Sequence, residues 1–144
     1  RFPEQNARRN ANARFLNEAL AAIPGVRPQR RDPRTTSQGH YCYVVAIDAD
    51  AFGLPRDLVH EALVAEGMPL TVSYPPIHRT AAFTDPDGLA PRHRDRAGWP
   101  DYRAMSLPHS RAAAADTLWF RHALLLGERA DANQLVEALD KVRR

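Results

Sequence analysis

The run Tyr41-Cys42-Tyr43-Val44-Val45-Ala46-Ile47 constrains this chain more than any other stretch. Its aromatic and β-branched residues favour an extended backbone, and its apolar character on both faces asks for a central position in a sheet or for helices that cover it. Asp48-Ala49-Asp50 and Gly53 close the strand. A helix is predicted from Pro55, whose missing N–H costs nothing at a first helical position, through Leu58, Val59, Ala62, Leu63 and Glu66 to Gly67 as its C-cap. Met68 to Ser73 reads as another strand, so the order is strand, helix, strand.

A unit of this kind needs a layer over its sheet. From Glu4 to Ala22, Ala, Arg, Glu and Leu favour a helix, with Ala11, Phe15, Ala19 and Ile23, flanked by Leu16 and Leu20, on one stripe. Pro24-Gly25 ends it, so residues 1–23 form a leading helix. Val26 to Gln38 is arginine-rich and turn-like, with room for a short strand, and residues 85–104 read as a polar connection anchored by Trp99 and Tyr102. Ser110 is placed to cap a short helix over Arg111 to Asp116, and Thr117-Leu118-Trp119-Phe120 reads as an edge strand. Asp131 with Gln134 three residues on starts a terminal helix whose apolar stripe is Leu135, Val136, Leu139 and Val142. The expected fold class is an α/β, or α+β, two-layer arrangement with a small, mainly antiparallel sheet and helices on one side. Strand order is not fixed by these patterns.

Composition removes several classes. At 144 residues, 44% hydrophobic and 26% charged, the chain can bury a core of its own. No apolar run approaches the roughly 20 residues that span a bilayer, and no leader peptide is recognisable, so no membrane partner is expected and the cytoplasm is the default location. Arg1-Phe2-Pro3-Glu4, without an initiator methionine, reads as the start of a fragment or a processed product. Cys42 is the single cysteine; it cannot form an intrachain disulfide and is expected to be buried and inert. Much of the positive excess behind the net charge of +3 lies in residues 1–34, where Arg1, Arg8, Arg9, Arg14, Arg27, Arg30, Arg31 and Arg34 stand against Glu4, Glu18 and Asp32. No aromatic platform is interleaved with these arginines, so no nucleic-acid partner is expected.

Tyr74-Pro75-Pro76-Ile77-His78-Arg79-Thr80 concentrates more chemistry than any other segment: a phenol, an imidazole and a guanidinium in one proline-restricted turn after a strand. The prolines are suited to hold His78 outward toward a ligand, although an ordinary surface loop explains the same string. His40, His60, His93, His109 and His122 form no close histidine–carboxylate pattern, so no metal site is expected. Ser37, Ser73, Ser106 and Ser110 lack a glycine-framed nucleophile elbow, and Gly25, Gly39, Gly53 and Gly67 are isolated punctuation, not a phosphate loop. Lys141 is the only lysine, close to the C-terminus where a solvated cation suits a helix end. No residue of the chain is assigned a catalytic role.

Several strings in order resemble the C-terminal region of the DegT/DnrJ/EryC1/StrS family of pyridoxal-phosphate-dependent aminotransferases. They are Arg8-Arg9-Asn10-Ala11-Asn12-Ala13, Ile23-Pro24-Gly25-Val26, His40-Tyr41-Cys42-Tyr43-Val44-Val45 and Ala65-Glu66-Gly67, then Tyr74-Pro75-Pro76-Ile77-His78-Arg79, Leu118-Trp119-Phe120-Arg121-His122, Leu124-Leu125-Leu126 and Asp140-Lys141-Val142. Members that aminate cyclitols or make 3-amino-5-hydroxybenzoate are the most similar in these motifs.

The resemblance implies that residues 1–144 are the small C-terminal domain of a fold-type I aminotransferase. It implies pyridoxal phosphate (PLP) as cofactor of the intact enzyme, and a large domain, missing here or separately encoded, that supplies the aldimine lysine and most phosphate contacts. It further implies a homodimer and transfer of an amino group from glutamine or glutamate to a small-molecule keto sugar or keto cyclitol. Within this chain the resemblance makes His78 a substrate-side residue of the intact enzyme, with Tyr74 and Arg79 as weaker members of the set. Arg92, Arg94 and Arg96 are available to meet an anionic substrate or a partner subunit, against the plainer expectation of a solvated connection. Because Lys141 is poorly placed for an aldimine, the chain alone is expected to be inactive and to bind no cofactor. Two further readings remain: a free-standing noncatalytic domain that binds a partner, and one half of a split aminotransferase.

Overall fold

The computed structural model describes residues 1–84 and 100–144, which gather into two compact units, Arg1–Val72 with Asp116–Arg144, and Ser73–Ala115. The first unit contains helix α1 (Phe2–Ala21), strands β1 (Val26–Pro28) and β2 (Cys42–Ile47), the single-turn helix α2 (Ala49–Phe52), helix α3 (Arg56–Ala65) and strand β3 (Leu70–Val72). In the second unit lie a 3-10 turn (Ile77–Arg79), a helical turn α4 (Ala81–Thr84) and helix α5 (Pro108–Asp116), whose last residue returns the chain to the first unit. Strand β4 (Thr117–Arg121), a 3-10 turn (His122–Leu125) and helix α6 (Arg129–Arg143) complete the first unit.

All strand pairs are antiparallel and the order is β1-β2-β4-β3. The expected strand begins one residue later, at Cys42, and Cys42–Ile47 is central, as its composition requires. Thr117 to Phe120 is not the expected edge strand: β4 lies between β2 and β3, while β1 and β3 form the edges. Proline suits an edge, where its missing donor breaks no ladder, and Pro28 sits in β1. The register explains the core. Tyr43 faces Phe120, Val45 faces Leu118, Val26 faces Ile47 and Leu70 faces Phe120, so the side chains of alternate residues form one continuous buried face. Helices α1, α3 and α6 pack on one side, giving a mixed α/β fold with a small antiparallel sheet. Leu16, Leu20, Val59, Leu63, Leu135 and Leu139 supply the helical half of the core. Each such side chain contributes roughly 1.5–3 kcal/mol by leaving water.

Helix α1 buries Arg9, Asn12, Ala13, Leu16 and Leu20. The expected stripe is therefore rotated, and Ala11, Phe15 and Ala19 lie half-exposed at its margin. The Asn12 amide explains the rotation: it donates to Leu125 O at 3.1 Å and Gly127 O at 3.0 Å, satisfying carbonyls around the start of α6 that apolar side chains cannot satisfy. Gly25, at φ 79°, makes the turn into β1, and a Cβ there would lie 2.3 Å from Phe52 N. Only glycine permits both this backbone and this approach.

Helix starts also differ from the sequence patterns. Pro55 is the N-cap of α3 and not its first helical residue. Ser110 lies inside α5, which already begins at Pro108. Asp131 is the third residue of α6, its carboxylate receiving the Glu128 N–H at 2.8 Å, so the capping box begins at Glu128.

Among the described residues of the Ser73–Ala115 unit, polar bonds to the backbone take the place of a core. Arg79 donates from Nη1 to Arg103 O at 3.0 Å and from Nη2 to Met105 O at 3.2 Å, while the Arg103 guanidinium donates to Thr84 O. Two arginines thus clasp residues 79–84 and 103–105 in opposite directions. Tyr102 acts as an anchor, its ring 5.0 Å from that of Phe83 at a 59° tilt. Trp99 and most of the 85–104 connection lie outside the described residues.

Candidate functional site

The segment Tyr74–Thr80 follows β3 directly. Pro75 and Pro76 restrict the approach, and the turn then closes through Arg79 N–H to Pro76 O at 2.8 Å and Thr80 N–H to Ile77 O at 3.0 Å. The Thr80 hydroxyl adds a bond to Ile77 O at 2.7 Å. This geometry reverses the outward placement expected for His78. His78 is 7% exposed, whereas Tyr74 is 67% and Ile77 64% exposed. Successive side chains of a 3-10 turn diverge by about 120°, so the same turn that presents Ile77 withdraws His78. Both terminal nitrogens of Arg79 are engaged by backbone carbonyls, which makes this side chain an organiser of the turn. Arg92, Arg94 and Arg96 lie outside the described residues.

A second polar constellation occupies the first unit. Asn10, Arg14 and Asn17 follow one flank of α1 at helical spacing, and face Gln29, Arg31, Gln38 and His40 from the β1–β2 connection, with Cys42 and Tyr43 beneath. Together they line a pocket of about 30 Å³. The Tyr43 hydroxyl donates to Asn17 Oδ1 at 2.8 Å, and Asn10 Nδ2 donates to Gln38 O at 3.0 Å. Burial pushes the Tyr43 phenol well above its ordinary value, so it stays a neutral donor. His40 is held below its ordinary value of 6.5, first by burial and then by the positive charges of Arg31 and Arg9. His40 also has φ 47°, the one non-glycine residue in the left-handed region among the described residues. Cys42 is half-buried at the edge of this pocket, not fully buried, and burial raises its thiol further from the reactive thiolate.

The sequence groups the arginines only as a local excess of charge and does not bring His40 to them. The polar flank Asn10–Arg14–Asn17, at intervals of four and three, was the available signal. What it faces depends on the return of the chain through β2, which no local pattern fixes.

Lys141 is committed to an ion pair: its Nζ donates to Glu66 Oε1 at 2.7 Å and Oε2 at 2.8 Å, tying the end of α6 to the end of α3. Among the described residues no group of three or more His, Cys, Asp or Glu side chains gathers to hold a metal, and no helix is long and apolar enough to cross a membrane.

A model of the DegT/DnrJ/EryC1/StrS aminotransferase family matches residues 1–119. The chain is 37% identical over 147 residues to an L-glutamine:2-deoxy-scyllo-inosose aminotransferase of Streptoalloteichus tenebrarius, covering 98% of this chain and 34% of that protein. It is 30% identical over 152 residues to a 3-amino-5-hydroxybenzoate synthase of Amycolatopsis mediterranei, covering 100% of this chain and 35% of that one. The crystal structure of a 3-amino-5-hydroxybenzoic acid synthase superposes with a TM-score of 0.78 at 28% identity, over 99% of this chain and 35% of the other. The chain therefore spans about a third of the length of the relatives it matches.

Proposed function

This chain belongs to the DegT/DnrJ/EryC1/StrS aminotransferase family, and from that premise we propose that it is the C-terminal small domain of an enzyme that moves an amino group from glutamine or glutamate to a keto cyclitol or keto sugar. The observation that carries this reading is the near-complete coverage of the chain by relatives whose names specify amination of scyllo-inosose compounds. The intact protein works as a homodimer with pyridoxal phosphate.

The residues of this chain do not fit that cofactor's aldimine. Such a bond needs a lysine amine desolvated beside the ring. Lys141, the only lysine, has a side chain 68% exposed and committed to Glu66. The amine-transfer chemistry is accordingly assigned to a large domain outside these 144 residues, and no step of it is derived from them.

What the chain contributes is acceptor recognition by Tyr74–Thr80. Tyr74 offers an exposed phenol that can both donate to and accept from a ring hydroxyl, and Ile77 offers an apolar surface to a ring face. His78 is buried in the same turn and acts on the acceptor from beneath, by setting the positions of Tyr74 and Ile77. Arg79 fixes the loop through its two backbone carbonyls.

The test uses the intact enzyme and separates the two half-reactions. Tyr74→Phe and His78→Gln are expected to lower kcat/KM for the keto acceptor by about tenfold or more, while the glutamine half-reaction stays unchanged. Unchanged acceptor efficiency in both variants removes the loop from substrate recognition. A borohydride-trapped cofactor adduct at Lys141 overturns the assignment of the chemistry to another domain.

A further inference from the structure

We infer that the pocket between α1 and the β1–β2 connection is a binding site for a phosphate-type oxyanion, with Arg14 and Arg31 as its charged ligands and Asn10, His40 and Tyr43 as polar walls. The inference does not depend on the amine-transfer reading, because this pocket lies wholly within the Arg1–Val72 and Asp116–Arg144 unit and shares no residue with Tyr74–Thr80.

Charge comes first. Two guanidinium groups and an imidazole line one small cavity, and no Asp or Glu is among its lining residues. Two acidic residues adjoin lining residues in sequence: Asp32, already held by Arg34 through Nε at 2.9 Å and Nη2 at 2.7 Å, and Glu18, one turn beyond Arg14 but not ion-paired with it among the described residues. Arg31 spends one nitrogen on Thr35 O at 2.6 Å, and Arg14 makes no hydrogen bond or ion pair among the described residues. Close by in α1, Arg9 is 8% exposed with a buried Nε that has no hydrogen-bond partner. Like charges gathered without a counterion repel one another, and a bound anion removes that cost.

The positive field is felt inside the pocket. Arg31 and Arg9 both act on His40 to disfavour its protonation, beyond the effect of burial. Among the described residues Arg31 and Arg9 are the charges that act on His40, and Arg14 of α1 lines the same pocket, with the neutral Cys42 and Tyr43 on β2. The strained φ of His40 sets its ring against this pocket at a cost that ordinary connections do not carry.

Size then selects the ligand. A water needs roughly 10–15 Å³ of such volume. A pocket of about 30 Å³ has room for a few water-sized atoms, enough for the oxygens of one tetrahedral oxyanion. Arginine forks suit phosphate oxygens, and the side-chain amide of Asn10 can donate to one that is left over. Any larger ligand would keep its remainder in solvent.

The experiment titrates the full-length protein with inorganic phosphate at constant ionic strength, with pyridoxal phosphate in excess so that a cofactor phosphate subsite elsewhere is filled. Binding is read by calorimetry and by the His40 ring resonances of histidine-labelled protein. Saturable millimolar binding is expected, together with an upward move of the His40 titration midpoint. Arg14→Gln and Arg31→Gln should each weaken binding about tenfold, and the double variant should abolish it. Arg14→Lys and Arg31→Lys should retain part of it, and Arg111→Gln, which removes an equal charge from exposed α5, should leave it intact. A phosphomonoester distinguishes the sources: tighter binding than inorganic phosphate assigns the pocket to a phosphoryl group on a larger molecule, and equal or weaker binding assigns it to the free ion. The proposal is overturned by the absence of a saturable His40 response, or by a response that persists in the double variant while circular dichroism shows that variant folded.

Discussion

The two units are held together by different physics. The unit formed by Arg1–Val72 and Asp116–Arg144 closes around apolar side chains from Leu16, Val45, Phe120 and Leu135 that have no exposure at all. Among the described residues of Ser73–Ala115 only His78 is buried, and the clasp of Arg79 and Arg103 on backbone carbonyls does the ordering. A core resists displacement because every neighbour must move with it. Polar bonds at the surface compete with water and contribute little net stability, so a segment ordered by them can rearrange around a ligand at small cost.

This contrast is most directly broken by paired truncations. Phe120→Ala should cost about 3–5 kcal/mol in urea unfolding, because it empties the centre of the sheet. Ile77→Ala should cost less than about 0.5 kcal/mol, since the side chain is already in water. Equal losses would mean that both units share one core. A finer distinction comes from Arg79→Gln, expected to shift the global midpoint by less than about 1 kcal/mol while speeding amide exchange of residues 77–84. Slowed or unchanged exchange there would show that something other than the clasp orders the turn.

The smallest effect is a pH dependence within the first unit. Because His40 is held below 6.5 in the folded chain, the unfolded chain takes up the proton first as pH falls. Its contribution is therefore complete above about pH 6.5 and is lost as pH falls toward the depressed folded value. His40→Asn, which tolerates the left-handed backbone, should flatten the fall in melting temperature over that window.

The same division governs what could be read from the sequence. Strands and helices of the first unit are legible because Val44, Val45 and Ile47, or Leu135 and Leu139, declare their periodicity locally. The central place of β4 is not, since Thr117 to Arg121 looks alike whether one neighbour or two pair with it. The rotation of α1 was hidden because Asn12 is recruited by carbonyls more than a hundred residues away in sequence. At the loop, composition singled out Tyr74, His78 and Arg79, yet the withdrawal of His78 follows from a turn geometry that two prolines imply only loosely. The oxyanion pocket was least legible, because Arg14, Arg31 and His40 meet only after β2 has paired.

Strands β3 and β4 are adjacent, with Val72 opposite Leu118. Everything between those two residues is an excursion from a hairpin whose ends are pinned by the ladder itself. Doubling the length of such an excursion adds only about 0.6 kcal/mol of closure entropy. Insertions and deletions between β3 and β4 can thus be accommodated while the paired strands on either side keep their register.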